Sequence, residues 1–267
     1  MSEPSGQIQY EERRDYSFLE MVLRARRLNP ATLVLLVASI LAIMLGFYHL
    51  FVAGFGTPES LSFRSTHLAV MMVLAVLVRP LFRASIRDPI MVAGDSGNAK
   101  RIAGVVIDLV LIALVLGVEG YMLIDIDELQ AREGSPNQAD MVFGWILIGL
   151  VLECTRRVVG WTMVLIAGFF IVHSLFANYF FGMLFGPPVP VDVFIDAQFI
   201  QLIGVFGIPM LVASPYIVLF IIFGGVLIRS GAGRFFIDLA VALPCQPLAL
   251  PARSAAVARR VLPPLSA

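Results

Sequence analysis

What most limits the fold of this chain is the recurrence of apolar runs of about 20 residues, the length at which a helix crosses the ~30 Å hydrocarbon core of a bilayer. They lie at Pro30 to Ala53, His67 to Phe82, Ile102 to Ile124, Ala139 to Thr155, Val158 to Phe181 and Ile208 to Ile228. In hydrocarbon the backbone N–H and C=O groups must pair within each segment, so runs of this kind predict helices. Composition agrees: 59% of the 267 residues are hydrophobic and 14% charged, against roughly 45–50% and about 25% in soluble chains. The expected fold class is an all-α, polytopic membrane protein with about six spans. The second and fourth runs are short for a crossing.

Charge supplies an orientation. With the amino terminus inside, 17 of the 19 Lys and Arg fall in inside segments, including Arg79, Arg83, Arg87, Lys100, Arg101, Arg156, Arg157, Arg229 and Arg234, and only Arg64 and Arg132 fall outside. That is the positive-inside bias of short loops. The outside loops carry Asp125, Asp127, Glu128, Glu133, Asp140, Asp192 and Asp196. The polar segment 1–29 precedes a first run too long for a signal peptide, so that run is expected to remain as a span. Net charge is zero, and nothing calls for a nucleic-acid partner. Cys154 and Cys245 offer neither a disulfide framework nor metal-ligand spacing.

LECTRRVVG, Leu152 to Gly160, sets three charges in the middle of some forty apolar residues. One continuous helix over Met141 to Phe181 would be about 60 Å long, twice the bilayer core, so the chain must turn there. The stretch is expected to be the cytoplasmic end of a hairpin, with Arg156 and Arg157 at the interface and Glu153, three and four residues earlier, paired to both along one helix face.

Ionisable groups inside spans are candidate functional groups. Asp108 and Glu119 are eleven residues apart in the third run, close to three helical turns, and so share a face. Helix packing or interface anchoring is the plainer role for both. His49, His67 and His173 are dispersed near span ends without ligand spacing, so no metal site is expected. Ser214 and Pro215 interrupt the sixth run, and a broken helix can line a transporter's binding site, although proline kinks are common in membrane helices. Pro187, Pro188 and Pro190 end the fifth helix, and VDVFIDAQFIQ after them reads either as an amphipathic helix in the outer interface or as a connecting loop. SGAGRFF follows a membrane helix, not a strand, which excludes a phosphate-binding fingerprint; its glycines end one helix and let Arg234 to Leu243 begin another along the inner interface. No nucleophile, base and orienting group converge, so no catalytic residues and no cofactor are expected.

Two stretches, LECTRRVVG and FGIPMLVASPYIVLFIIFGGVLIRSGAGRFFIDLA from Phe206 to Ala240, resemble the fused membrane component of tripartite ATP-independent periplasmic (TRAP) transporters. The resemblance is closest to the branch that joins a small four-helix subunit to a large twelve-helix one and works with a TAXI-type binding protein. It covers about Leu28 to Leu243 and is weaker in the first two spans. It implies a secondary transporter of the bacterial inner membrane. A periplasmic binding protein would deliver an organic anion, commonly a carboxylate, and sodium would drive an elevator-like motion.

On this resemblance residues 30–157 correspond to the small subunit and 158–243 begin the large one. The family's substrate and sodium hairpins come later, so no ligand to either is expected here, and the remainder of a large subunit is an implied partner. Residues 244–267, rich in Pro, Ala and Arg, depart from the family and have the composition of a GC-rich gene read out of frame. The expectation is a frameshifted, truncated product that does not transport alone, the alternative being a disordered end. A non-transporting membrane scaffold is the competing functional reading.

Overall fold

Six long or medium helices, joined by short ones, account for most of what the computed structural model describes, which is the backbone of residues 30–81 and 98–240 with side chains from 33 to 81 and 102 to 240. In chain order, long and short together, the helices begin with α1 (Pro30–Phe55), α2 (Ser60–Val78), α3 (Asn98–Ile124), α4 (Ile126–Ala131), α5 (Gln138–Val158) and α6 (Trp161–Phe176). Two single 3-10 turns, Ala177–Tyr179 and Gly182–Leu184, lead to α7 (Val191–Phe199) and α8 (Ile208–Val212). A π-helical turn (Ala213–Ile217), α9 (Val218–Arg229) and a helix α10 over 232–240 complete the order. No strand occurs among the described residues. The segment 1–29, the basic side chains Arg83, Arg87, Lys100 and Arg101, and the divergent tail 244–267 lie outside them.

Five segments are long and apolar enough to cross a membrane: Leu33–Phe55, Ser60–Val78, Ile102–Ile124, Trp161–Tyr179 and Ile208–Arg229. Their outward faces carry large apolar side chains in the open, with Phe47 68%, Leu116 59% and Phe170 62% exposed. Water would not tolerate such faces over whole helices, whereas lipid does. The chain is an all-helical, multi-pass membrane protein.

The fourth expected span, α5, is the least apolar of the long helices and is not among those five. It starts near Asp140 and ends with Glu153, Arg156 and Arg157. Yet α5 crosses the bundle from end to end, because Asp140 meets Tyr121 near the finish of α3 and Arg157 meets Asp108 near its start. It packs against α2, α3, α6 and α7, so much of its surface meets protein. Its surroundings explain the weaker hydropathy.

The chain forms two compact units, one continuing through Ser214 and one from Pro215. In the first, α2 and α5 lie centrally, α2 touching α1, α3, α5 and α8. Its core runs from Met72, Val76 and Cys154 through Val115, Val118 and Leu147 to Met122, Ile195, Phe199 and Phe206. Tyr121 stacks on Phe143 at 4.2 Å between ring centroids.

The second span begins earlier than expected. Its helix starts at Ser60, because the Glu59 carboxylate accepts from the backbone of Leu61 and Ser62 at 2.7 and 2.6 Å and satisfies amides that a helix start leaves without partners. Arg64, expected in an outside loop, therefore sits inside α2 and is 7% exposed.

The expected turn at LECTRRVVG is present. Helix α5 ends at Val158, Gly160 has φ +109°, and α6 starts at Trp161. An L side chain rarely adopts that φ, so glycine permits a link of two residues.

The segment VDVFIDAQF is a helix but does not merely lie on a membrane surface. In α7 the side chains of Phe194, Ile195, Asp196 and Phe199 are buried. Gly144 of α5 makes room, since a Cβ there would lie 2.5 Å from Ile195 Cγ2 and 3.3 Å from Phe199 Cβ. Small residues allow such close approach of helices. Gly144→Leu is therefore expected to push α7 off α5 and to cost about 1–3 kcal/mol from overpacking. Unfolding of the variant in detergent micelles checks this, and an unchanged midpoint would refute the contact.

In the second unit α9 is followed by Gly231 at φ +77° and then α10. The expected helix end at the glycine and the fresh start before Arg234 are both present, while Val241 to Leu243 lie outside the described residues.

Candidate functional site

Polar and charged side chains gather in three places in the first unit. At one end of the bundle, Glu153 accepts from both arginines of LECTRR. Arg156 Nε and Nη2 each lie 2.7 Å from its oxygens, and Arg157 Nε lies 2.7 Å from Oε1. This is the helix-face pairing expected from the spacing. Arg156 also stands over the Trp161 ring at 5.5 Å, a cation–π contact that links α5 to the start of α6.

Arg157 goes further. Its Nη1 donates to Asp108 Oδ1 of α3 at 2.6 Å and to the Arg79 carbonyl at 3.2 Å. Asp108 Oδ2 in turn accepts from Leu81 N at 3.3 Å. The Arg157 side chain is 3% exposed and Asp108 15%. One guanidinium thus joins α5, α3 and the carboxyl end of α2, where Arg79 is the helix cap. Its Nη2 is buried without a hydrogen-bond partner among the described residues.

At the opposite end, Asp140 is 0% exposed and fully engaged. Oδ1 accepts from Tyr121 Oη at 2.6 Å and Arg132 Nη2 at 3.2 Å, and Oδ2 from Arg132 Nε at 3.0 Å and Asn137 N at 2.8 Å. Asn137 Oδ1 accepts Asp140 N at 2.8 Å, closing a capping box. The hydrogen bonds with Asp140 hold the Arg132 guanidinium pKa above its ordinary value. Nearby, Asp196 Oδ2 accepts from Gly134 N at 3.0 Å and Gln201 Nε2 at 2.5 Å, while its Oδ1 is buried without a partner among the described residues. Gln130 Nε2 donates to Glu59 Oε1 at 2.7 Å. Loop 125–137 is therefore tied to α2, α3, α5 and α7.

In a third place, Glu119 of α3, two residues before Tyr121, accepts from Thr66 Oγ1 at 2.8 Å and Ser65 Oγ at 3.3 Å, both on α2. Arg64 Nη1 donates to the Phe206 carbonyl at 2.6 Å. His49 of α1 and His67 of α2, remote in sequence, are hydrogen-bonded at 3.1 Å. His173 Nε2 lies 2.9 Å from the Leu184 carbonyl. Ser214 Oγ donates to Met210 O at 2.8 Å, one turn back in a helix disturbed by the proline that follows it.

The sequence-derived candidates are thus distributed. Glu153, Arg156, Arg157 and Asp108 form one cluster; Glu119 and Ser214 are elsewhere, each with its own protein partner. Asp108 and Glu119 share a face of α3, yet they serve different neighbours at different depths. Sequence reasoning missed Asp140 as a buried centre, although Asn137 and Asp140 have the spacing of a capping box. It also missed the histidine pair, for which no spacing rule applies between separate helices. Among the described residues no group of three or more His, Cys, Asp or Glu is arranged to hold a metal. Comparison with protein-family models, curated proteins and solved structures finds no match to this chain.

Proposed function

We propose that the chain is the membrane permease component of a TRAP-type secondary transporter, importing organic anions such as carboxylates with sodium coupling and a TAXI-type periplasmic binding protein. In this reading it lies in the bacterial inner membrane with the amino terminus and the Arg157 end in the cytoplasm, and the remainder of a large permease subunit is its partner. The observation that carries the reading is LECTRRVVG itself, one of the two stretches that resemble the family. It forms a charge-locked hairpin in a multi-pass helical protein, as a junction between two membrane subunits would need.

A scaffold role also has a specific observation behind it. Each of the six polar candidates has a protein partner, Glu119, Asp108 and Arg157 on a neighbouring helix and the others within their own, so their polar groups are engaged in structural contacts. Such a unit suits the stationary part of a transporter or a scaffold that does not transport.

Proteoliposomes separate the two. With the remainder of the large subunit and the binding protein added, uptake of radiolabelled small carboxylates down an imposed sodium gradient is expected to fall at least tenfold when either the gradient or the binding protein is omitted. Uptake that needs neither would sink the transport mechanism. Capture of a larger permease polypeptide without flux in any arrangement would favour the scaffold.

A further inference from the structure

His49 and His67 face each other across α1 and α2, at 1% and 5% exposure. Their rings are 5.1 Å apart and near perpendicular, with an interplanar angle of 72°. His49 Nδ1 lies 2.8 Å from the Leu45 carbonyl. A carbonyl only accepts, so His49 Nδ1 carries a hydrogen and the neutral ring presents Nε2 as a lone pair. His67 Nδ1, 3.1 Å from that lone pair, must then be the donor. One basic nitrogen then remains for two rings, His67 Nε2.

The surroundings are largely aromatic, with Phe63 5.3 Å and Tyr48 5.5 Å from the His49 ring. Most charged groups on the packed elements α3 and α5 are engaged in the clusters already described, Asp108, Glu153, Arg156 and Arg157 at one end and Asp140 with Tyr121 at the other; the rest are few. On α1 there is the Tyr48 phenol, and on α2 there is Arg64, one turn before His67 and bound to the Phe206 carbonyl. On α3, Glu119 is held by the two residues that precede His67. Cys154 Sγ of α5 lies 4.0 Å from Met72 O of α2, and α8 carries no ionisable side chain.

We propose that His49 and His67 are a one-proton site: the pair takes up a single proton, at His67 Nε2, where two separate histidines would take two. Protonation makes His67 an imidazolium whose Nδ1–H bond to His49 becomes charge-assisted and tightens α1 against α2. A second proton would have to take the His49 lone pair already in use and set two cations side by side in a bundle interior.

The chain has three histidines, so the test can be spectroscopic. Full-length protein labelled with 15N-histidine in micelles is titrated from pH 8 to 4, with signals assigned through His173→Gln and His49→Phe. The expected result is Nδ1–H tautomers for both rings at pH 8 and a gain of one proton by His67 while His49 stays neutral. His49→Phe is expected to move the His67 midpoint by about half a pH unit or more. Two protons taken up in parallel, an Nε2–H tautomer on His49, or a His67 midpoint unmoved in His49→Phe would each overturn the proposal. If that variant does not fold, the wild-type spectra decide alone.

Discussion

Replacing Arg157 with alanine is expected to destabilise the membrane bundle by about 3–5 kcal/mol, the range for breaking a buried ion pair from one side. The cost comes less from the lost bonds than from what they leave behind. Asp108, 15% exposed, would lose its only cation among the described residues, and the Arg79 carbonyl would lose its side-chain donor. Glu153 would keep Arg156. Arg157→Lys keeps a charge but not the planar fork that reaches Glu153, Asp108 and Arg79 together, so an intermediate loss is expected. Arg156→Ala, with a side chain 26% exposed, should cost about 1 kcal/mol or less, as partly solvated pairs do.

A double-mutant cycle with Asp108→Asn isolates the link between helices, and a coupling above about 1 kcal/mol is expected for residues in direct contact. Unfolding in micelles gives the measurement. Equal midpoints for Arg156→Ala and Arg157→Ala would show that the inter-helix tie contributes nothing.

These two neighbouring arginines also show what the sequence could and could not reveal. Pairing of Glu153 with positions three and four residues on follows from helix geometry alone, and both bonds are present at 2.7 Å. The bond from Arg157 to Asp108 spans 49 positions and depends on how α5 is registered against α3, which no periodicity records. The apolar runs were legible because lipid imposes length and hydropathy on each span separately. The weak run at α5 was harder to read, since a helix surrounded by protein need not be apolar all round.

The same limit explains Arg64 and α7. A charge at position 64 reads as loop, until Glu59 is seen to cap the helix and the Phe206 carbonyl to accept the guanidinium. The polar face of α7 reads as solvated, but Asp196 on it is 2% exposed because Gly144 admits the helix against α5. Histidines 18 positions apart on two helices gave no signal at all. Local rules identified the elements, whereas every contact between elements had to come from packing.

Asp140→Ala is expected to open the other end of the bundle at a cost of about 3 kcal/mol or more, since hydrogen bonds to a charged group contribute roughly 1.5–3 kcal/mol each and do not simply add. Asp140 is fully buried and binds Tyr121, Arg132 and the Asn137 amide at once. Without it α5 loses half of its capping box, and the Arg132 guanidinium loses its closest carboxylate, keeping only Glu128 at 3.8 Å. Asp140→Asn retains an acceptor for the cap but not the ion pair, so a smaller loss is expected, and Tyr121→Phe should cost about 1 kcal/mol. Hydrogen exchange locates the effect. Amides in the first turn of α5 and in loop 132–137 should exchange faster, while those around Arg157 keep their protection, because the two clusters lie at opposite ends of the same helix. Uniform acceleration along α5 would mean that Asp140 holds the whole bundle together and does more than anchor one end.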